Sequence, residues 1–158
     1  MSFFSTLAGK MLLSFLVSMV PVIELRGGLP LAYLNFGLPL WLSIIVCIIG
    51  NMLPIPFILL FLNKILNMME NWGGIFSKFY LWLNARAEKK GKTLEKGEIL
   101  GICILVAIPL PGTGAWTGAL VATLMKIPPK KALPAIFLGV VIAAVIVSIA
   151  SWGVDAIF

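Results

Sequence analysis

Two long uncharged runs constrain the fold more than any other feature of this sequence. Residues 38–62 and residues 132–152 contain no Asp, Glu, Lys or Arg over 25 and 21 positions. A helix needs about 20 apolar residues to cross a hydrocarbon core, so each run can span a membrane once. Hydrophobic residues make up 61% of the 158-residue chain and charged residues 11%, which excludes a soluble domain with a charged surface. The sequence therefore predicts an all-helical integral membrane protein.

A carboxylate and a guanidinium, Glu24 and Arg26, interrupt a third apolar region. Residues 11–23 before this pair and residues 29–36 after it are uncharged, which places the pair within the thickness of the bilayer. An ionisable side chain there costs about 2.5–3.5 kcal/mol on insertion scales and usually faces a cavity or a charged partner. The pair is therefore the first candidate for a functional site.

The apolar arms beside this pair are 13 and 8 residues long, too short to cross the membrane. Pro21 and Pro30 are expected to stop helices on either side of a turn, and Gly27 and Gly28 to permit tight backbone geometry within it. The pattern predicts a re-entrant helical hairpin that enters the membrane and returns. Irregular backbone at that depth is tolerated only beside protein or a wet cavity.

A second broken hairpin is predicted later in the chain. Residues 99–110 and 119–125 form its short apolar arms, and Pro and Gly residues break the segment between them. Residues 63–98, which hold seven Lys or Arg and four Glu, are the main aqueous segment. Aromatic and apolar residues recur there near helical spacing and indicate an amphipathic helix on the membrane surface, with a plain linker as the alternative: Trp72, Phe76, Tyr80 and Leu83.

The two halves of the chain repeat one order of elements: short arm, broken turn, short arm, spanning helix. Four Pro and Gly residues match between the halves, at offsets of 90 or 89: Pro21 with Pro111, Gly28 with Gly118, Pro39 with Pro128, and Gly50 with Gly139. We therefore divide the single membrane domain, 1–158, into a first repeat (11–62), a cytoplasmic linker (63–98) and a second repeat (99–152). A kink is expected in the first spanning helix near Asn51, Pro54 and Pro56.

Each half crosses the membrane an odd number of times, so the second half is predicted to be inverted relative to the first. Ten of the twelve Lys and Arg residues fall in segments 63–98 and 126–131, which this topology places on one side. The positive-inside rule makes that side cytoplasmic and puts both termini outside the cell membrane. The net charge of +6 is explained by this basic face, and no motif for nucleic-acid binding accompanies it.

Catalytic and metal-binding patterns are missing from the sequence. It has no His, and Cys47 and Cys103 lie in apolar runs without the paired spacing of a zinc site or a disulfide framework. No nucleophile stands beside a base. We expect neither enzymatic activity nor a metal or other cofactor.

The segment Pro21-Val22-Ile23-Glu24, the segment Pro111-Gly112-Thr113-Gly114 and the repeated spanning helices resemble the putative small multidrug export family, which is distantly similar to the DedA/VTT (SNARE-associated) superfamily. The DedA resemblance implies two re-entrant hairpins that face each other and transport of lipid phosphates such as undecaprenyl phosphate, with phospholipid scrambling in eukaryotic relatives. Glu24 corresponds to the Glu of the first DedA hairpin. DedA proteins carry an Arg in the second hairpin that this chain lacks, and Arg26 could supply the cation from the first hairpin instead.

The lipid-phosphate hypothesis assigns a role to each polar group near the two turns. Arg26 would bind phosphate oxygens through its forked donors, and Glu24 could exchange a proton. Backbone amides would add donors at four glycines: Gly27, Gly28, Gly112 and Gly114. Neutral or aromatic side chains complete the candidate site: Asn51, Thr113, Trp116 and Thr117.

Other readings of the same residues stay open. A proton-coupled exporter of lipophilic cations would use Glu24 as its binding group, with Trp116 offering an aromatic face, although Arg26 repels a cation. Glu24 and Arg26 could instead form a purely structural pair within a membrane scaffold that transports nothing. Because two spanning helices bury little surface in one chain, a homodimer is also expected.

Overall fold

A computed structural model describes residues 6–69, 71, 73–110 and 113–157, with the backbone alone at 69, 76, 79, 80, 83, 84, 86–96 and 157. Within these ranges all regular structure is helical. The elements are α1 (Leu7–Met19), α2 (Glu24–Pro30), a π-helix (Leu31–Asn35), α3 (Leu40–Met52), α4 (Pro54–Met69), α5 (Gly74–Ala107), α6 (Ala115–Leu124) and α7 (Pro129–Ile157).

The first hairpin pairs α1 with α2. Helix α1 begins after Thr6, whose hydroxyl oxygen accepts a hydrogen bond from the Gly9 amide at 3.2 Å. It ends because Val20, which precedes Pro21, is extended, as residues before proline usually are. The turn occupies residues 20–23, and α2 starts at Glu24. The prediction that the charged and glycine residues themselves form the turn is therefore wrong, because Pro21 ends the helix earlier.

Pro30 lies inside the second arm and does not stop it, contrary to the sequence prediction. Proline cannot donate a backbone hydrogen bond, so the helix has to change its bonding there rather than end. The Leu31 amide bonds to the carbonyls of both Gly27 and Gly28, and a π-helical turn follows, closed by the Phe36 amide on the Leu31 carbonyl at 3.0 Å. The arm ends at Gly37, whose φ is +64°.

The first spanning segment consists of α3 and α4, separated by one residue at Leu53. Leu53 keeps a helical backbone, and its amide bonds to the Ile49 carbonyl at 3.0 Å, so no unwound section separates the two helices and the predicted kink stays a prediction. Pro54 is the first residue of α4, the position where a missing amide hydrogen costs nothing. Residues Leu40–Met68 are long and apolar enough to cross a membrane.

Helix α5 differs most from the sequence prediction. It runs without a break from Gly74 to Ala107 and so joins most of the basic linker to the first arm of the second hairpin, whereas a boundary was predicted at residue 99. Residues 85–98 are rich in Ala, Glu and Lys and contain no proline, and an interior glycine costs a helix only about 1 kcal/mol. The amphipathic face stays a prediction, since Trp72 and the side chains of Phe76, Tyr80 and Leu83 lie outside the described part.

Helix α7 follows the second hairpin after the short connection 126–128. It begins at Pro129 and includes Lys130 and Lys131, which were predicted to lie in the connection. Proline at the first helical position is already fixed at a helical φ, so the helix starts there rather than after the lysines. Residues Pro129–Ala156 form the second segment long and apolar enough to cross a membrane.

The matched glycines make equivalent close contacts in the two halves. A Cβ atom on Gly50 would lie 2.5 Å from the Phe15 carbonyl oxygen on α1, and one on Gly139 would lie 2.7 Å from the Cys103 carbonyl oxygen on α5. In each case a glycine of the spanning helix lets the first arm of its own hairpin approach. The prolines also correspond: the carbonyl of Pro39 accepts from the third and fourth amides after it, and that of Pro128 does the same.

Contacts between the halves fix where the hairpins lie along α7. The open end of the first hairpin is closed by a 2.6 Å hydrogen bond from Lys10 Nζ to the Phe36 carbonyl. Nearby, the Tyr33 hydroxyl donates to Asp155 at 2.7 Å, so this end lies beside the C-terminus of α7. The second hairpin joins the N-terminus of α7 directly. Helix α2 packs on α7, and α6 packs on α4.

Large apolar side chains cover much of the outer surface of the spanning helices. Phe57 and Phe61 on α4, and Ile149 and Trp152 on α7, are each more than 60% exposed. Contiguous apolar surface on this scale is rare on soluble monomers and is typical of helices that face lipid. The fold thus agrees with a membrane protein.

Candidate functional site

The site forms where the tips of the two hairpins meet. Glu24 begins α2 with a φ of +50°, a left-handed conformation that costs a non-glycine residue about 1–2 kcal/mol. This conformation follows directly on the turn 20–23 and places the carboxylate at the start of the second arm. The second hairpin presents the end of its first arm, residues 108–110, together with residues 113 and 114 and the first residues of α6 to the same place.

The Glu24 carboxylate is buried against the N-terminus of α6. Glu24 is only 4% exposed. Its Oε1 accepts a hydrogen bond from the Trp116 amide at 3.4 Å, and its Oε2 lies 3.5 Å from Nη1 of Arg26. Gly114 lies so close that any Cβ atom there would overlap the carboxylate. Amides at a helix N-terminus favour a negative charge, so α6 and Arg26 together stabilise the ionised carboxylate.

Arg26 reaches across to the second hairpin. Its Nη2 lies within hydrogen-bond distance of three carbonyl oxygens, those of Val106 (3.0 Å), Ile108 (2.7 Å) and Thr113. Val106 and Ile108 stand at the C-terminal end of α5, where the last carbonyls of a helix have no partner within the helix. The guanidinium therefore satisfies backbone groups of the other half of the molecule.

Trp116 makes the reverse contact. Its indole Nε1 donates to the carbonyl of Met19, the last residue of α1, at 3.2 Å. Each hairpin thus sends one side-chain donor to backbone carbonyls of the other. We call Glu24, Arg26 and Trp116 together the hairpin latch.

A groove and a small cavity both border the charged pair of the latch. The groove has a volume of about 310 Å³ and is lined by the first turn, the charged pair and the tip of the second hairpin: Pro21, Val22, Ile23, Glu24, Arg26, Gly27 and Pro109. The cavity has a volume of about 10 Å³ and is lined by Glu24, Leu25, Arg26, Asn51, Val106, Gly114, Ala115, Val140 and Ala143. Val22 at the rim of the groove is 90% exposed. The latch therefore borders a largely apolar groove that is open at the protein surface.

The structure brings Glu24, Arg26, Asn51, Gly114 and Trp116 together, as the sequence predicted. Asn51 was assigned to the site only as a polar residue on the spanning helix, and it lies buried beside the pair, 3% exposed. Arg26 also contacts the second hairpin through the carbonyls of Val106 and Ile108, a contact that the sequence analysis did not predict. Sequence reasoning did not find the acceptor carbonyls of Met19, Val106 and Ile108, although their place at helix C-termini could have indicated them.

Three other predicted residues, Gly27, Gly28 and Thr113, have roles that differ from the predicted ones. Gly27 and Gly28 lie within α2, and the Gly27 amide already donates to the Ile23 carbonyl, so the prediction that they supply free amides is wrong. A Cβ on Gly28 would overlap the Ser18 hydroxyl, which makes it a packing residue. The Thr113 hydroxyl bonds to the Ile108 and Leu110 carbonyls of its own turn.

Thr117, in the first turn of α6, lines neither the groove nor the cavity. Gly112 lies outside the described residues. Among the described residues no cluster of His, Cys, Asp or Glu could hold a metal ion. The candidate site is thus a charged pair with backbone donors and acceptors around it.

Comparisons with known proteins place the chain in a family. Residues 24–146, more than half of the chain, match the family described as "Putative small multi-drug export protein". The matched region begins at Glu24 and so includes all three residues of the latch, Glu24, Arg26 and Trp116. Neither the curated proteins nor the solved structures gave a match. The chain therefore belongs to the putative small multidrug export protein family, whose name points to membrane transport.

Proposed function

We propose that the protein transports an amphiphile with an anionic phosphate headgroup, such as a polyprenyl phosphate, across the membrane. One observation carries this proposal: the Glu24 carboxylate occupies a set of donors that suits an anion. The set consists of the Arg26 guanidinium, 3.5 Å away, and the Trp116 amide at the start of α6. Guanidinium groups and helix N-termini are also the donors with which proteins bind phosphate.

Exchange of one anion for another follows from this arrangement. An entering phosphate takes the place of the Glu24 carboxylate at Arg26 and the Trp116 amide. Glu24, displaced and no longer paired with a cation, takes up one proton. When the phosphate leaves, Glu24 releases the proton and returns to its place. Transport of this kind requires no covalent chemistry.

The groove suits the rest of such a substrate. Pro21, Val22, Ile23 and Pro109 give it an apolar lining, so a hydrocarbon tail can remain in contact with protein or lipid. Glu24 and Arg26 are the only titratable residues among those that line the groove or the cavity. One proton per transported anion is therefore the stoichiometry we expect.

The DedA-like layout, with two inverted re-entrant hairpins, is part of the proposal. It is supported by the position of the hairpins at opposite ends of α7, with their tips meeting beside Val140 and Ala143 in its middle. In a protein without its native cysteines, single cysteines at positions 5 and 156 should react only from outside, and one at position 90 only from inside. Labels at 5 and 90 that react from the same side would contradict the layout. We also expect a homodimer.

A second candidate function is export of lipophilic cations. The family description favours it, and the groove offers an apolar surface with one carboxylate. Arg26 opposes it, because its Nη1 lies beside the carboxylate that a cation would have to reach. A cation would bind only after the guanidinium had moved away.

Thermal stabilisation of the purified protein separates the two candidates, because a ligand that binds the native state raises its apparent stability. The ligands are undecaprenyl phosphate, a zwitterionic phospholipid and tetraphenylphosphonium. We expect the phosphate to stabilise the wild type, to stabilise Glu24→Gln at least as well, and to lose its effect in Arg26→Gln. The control Arg86→Gln removes the other arginine of the chain. Stabilisation by the cation alone, kept in Arg26→Gln and lost in Glu24→Gln, would replace the phosphate proposal with cation export.

A further inference from the structure

Two buried polar atoms belong to residues that line the small cavity beside the latch. One is Nε of Arg26 and the other is Oδ1 of Asn51, and neither has a hydrogen-bond partner among the described residues. Both residues line the same cavity of about 10 Å³. Buried polar atoms without a partner are rare because they destabilise the folded protein, so two of them in residues that line one cavity indicate that a bound molecule satisfies both.

The chemistry of the two atoms defines that molecule. Arg26 Nε carries one hydrogen and can only donate, whereas Asn51 Oδ1 can only accept. A ligand that bridges them must accept one hydrogen bond and donate another. A cavity of roughly 10–15 Å³ is the smallest that holds a water molecule, and it is too small for any larger ligand.

We propose that this cavity is a binding site for a single water molecule that accepts from Arg26 Nε and donates to Asn51 Oδ1. Glu24 also lines the cavity, and we assign its carboxylate as the acceptor for the second water hydrogen. The other lining side chains are apolar, so these three residues supply all the side-chain hydrogen-bonding groups of the cavity. The inference concerns the latch itself and holds whichever substrate is transported.

The water gives Asn51 a role as a positioning residue. Asn51 lies near the end of α3, two residues before Leu53, the single residue between α3 and α4. Through the water it holds the Nε edge of the guanidinium toward α3, which leaves Nη2 directed at the carbonyls of the second hairpin. The water thereby links the junction of α3 and α4 to the latch.

Magnetic resonance of the arginine side chains tests the site directly, because the chain has only two arginines. In the full-length Arg86→Lys protein, the remaining Nε–H signal belongs to Arg26. We expect rotating-frame cross-relaxation between this proton and a long-lived water, and its loss when Asn51→Leu is added. Absence of the cross-relaxation, or its persistence in Asn51→Leu, would overturn the proposal.

Thermal unfolding provides a second readout. Asn51→Leu should lower the melting temperature, and the loss should shrink by at least half in an Arg26→Lys background, which has no Nε. The matched control is Ser148→Ala, since the Ser148 hydroxyl is also buried without a partner among the described residues but does not line the cavity. Its effect should be the same in both backgrounds. Equal losses for Asn51→Leu in the two backgrounds would contradict a coupling through Arg26.

Discussion

The two halves of the molecule share their packing and differ in their chemistry. Gly50 and Gly139 allow the same close approach of arm to spanning helix, and Gly28 and Gly118 pack against the first arms of their hairpins in the same way. At the tips the likeness ends. The first hairpin carries Glu24 and Arg26, whereas the matching positions of the second carry Gly114 and Trp116.

This difference makes the site complementary. The first half supplies the charges, and the second supplies the space at Gly114, the Trp116 amide and the acceptor carbonyls at the end of α5. A symmetric arrangement would have placed two carboxylates and two guanidinium groups in one buried site, at a much higher desolvation cost. Equivalent scaffolds can thus hold a single site when only one of them is charged.

The largest expected effect comes from Arg26→Ala. It leaves the Glu24 carboxylate without its cation and the carbonyls of Val106 and Ile108 without this donor. Breaking a buried pair in this way destabilises a protein by about 3–5 kcal/mol. Thermal unfolding in detergent measures it, with Arg86→Ala as the control for loss of an arginine. A loss no greater than that of the control would show that the latch does not hold the halves together.

Alanine at Gly50 and at Gly139 should cost similar amounts, about 1–3 kcal/mol each, because both new methyl groups would press on a backbone carbonyl that cannot move aside. The matched control is Gly101→Ala in α5, where a Cβ meets nothing within 4 Å. That substitution should stabilise the helix slightly. The same unfolding experiment measures both variants. Strongly unequal losses of stability at Gly50 and Gly139 would contradict the equivalence of the two halves.

Trp116→Phe removes the indole donor to the Met19 carbonyl and keeps an aromatic ring in place. We expect a loss of about 1 kcal/mol, the usual contribution of one hydrogen bond. The effect should be smaller than that of Arg26→Ala, because Trp116 satisfies one carbonyl and no charge. An equal or larger loss would mean that the second hairpin contributes as much to the latch as the first.

The smallest effect is expected from Tyr33→Phe, which removes the hydrogen bond to Asp155 at the open end of the first hairpin. This bond is exposed, and water can replace it. The melting temperature should hardly change, and transport should be retained. A large loss of stability would show that the contacts at the open end of the first hairpin, rather than those at its tip, hold the hairpin in place.

Much of the fold could be predicted because the bilayer restricts it so strongly. The two spanning segments and the short arms followed from the lengths of uncharged runs and the positions of proline. The extent of α5 could not be predicted, because a charged helix and an apolar arm meet there without a helix breaker. The π-helix after Pro30 was also missed, since its bonding depends on how the backbone adjusts to one absent donor.

The site was predictable in its charged residues and not in its backbone. Glu24 and Arg26 stand out because ionisable side chains are costly in an apolar region. The acceptors of Arg26 are carbonyl groups, and every residue has one, so residue identity could not single out Val106 or Ile108. Gly27 and Gly28 were misassigned for a related reason: a glycine permits a turn and permits close packing equally well.

The central claim is that the substrate anion and the Glu24 carboxylate compete for one set of donors. Calorimetric titration with undecaprenyl phosphate, in buffers of different ionisation enthalpy, counts the protons that binding takes up. We expect the wild type to take up about one proton more per bound anion than Glu24→Gln. Any proton that the phosphate itself takes up on binding is counted in both proteins, so the difference between them reports on Glu24. Equal proton uptake by the two proteins, with both still binding the phosphate, would contradict the exchange and leave Glu24 and Arg26 as a structural pair.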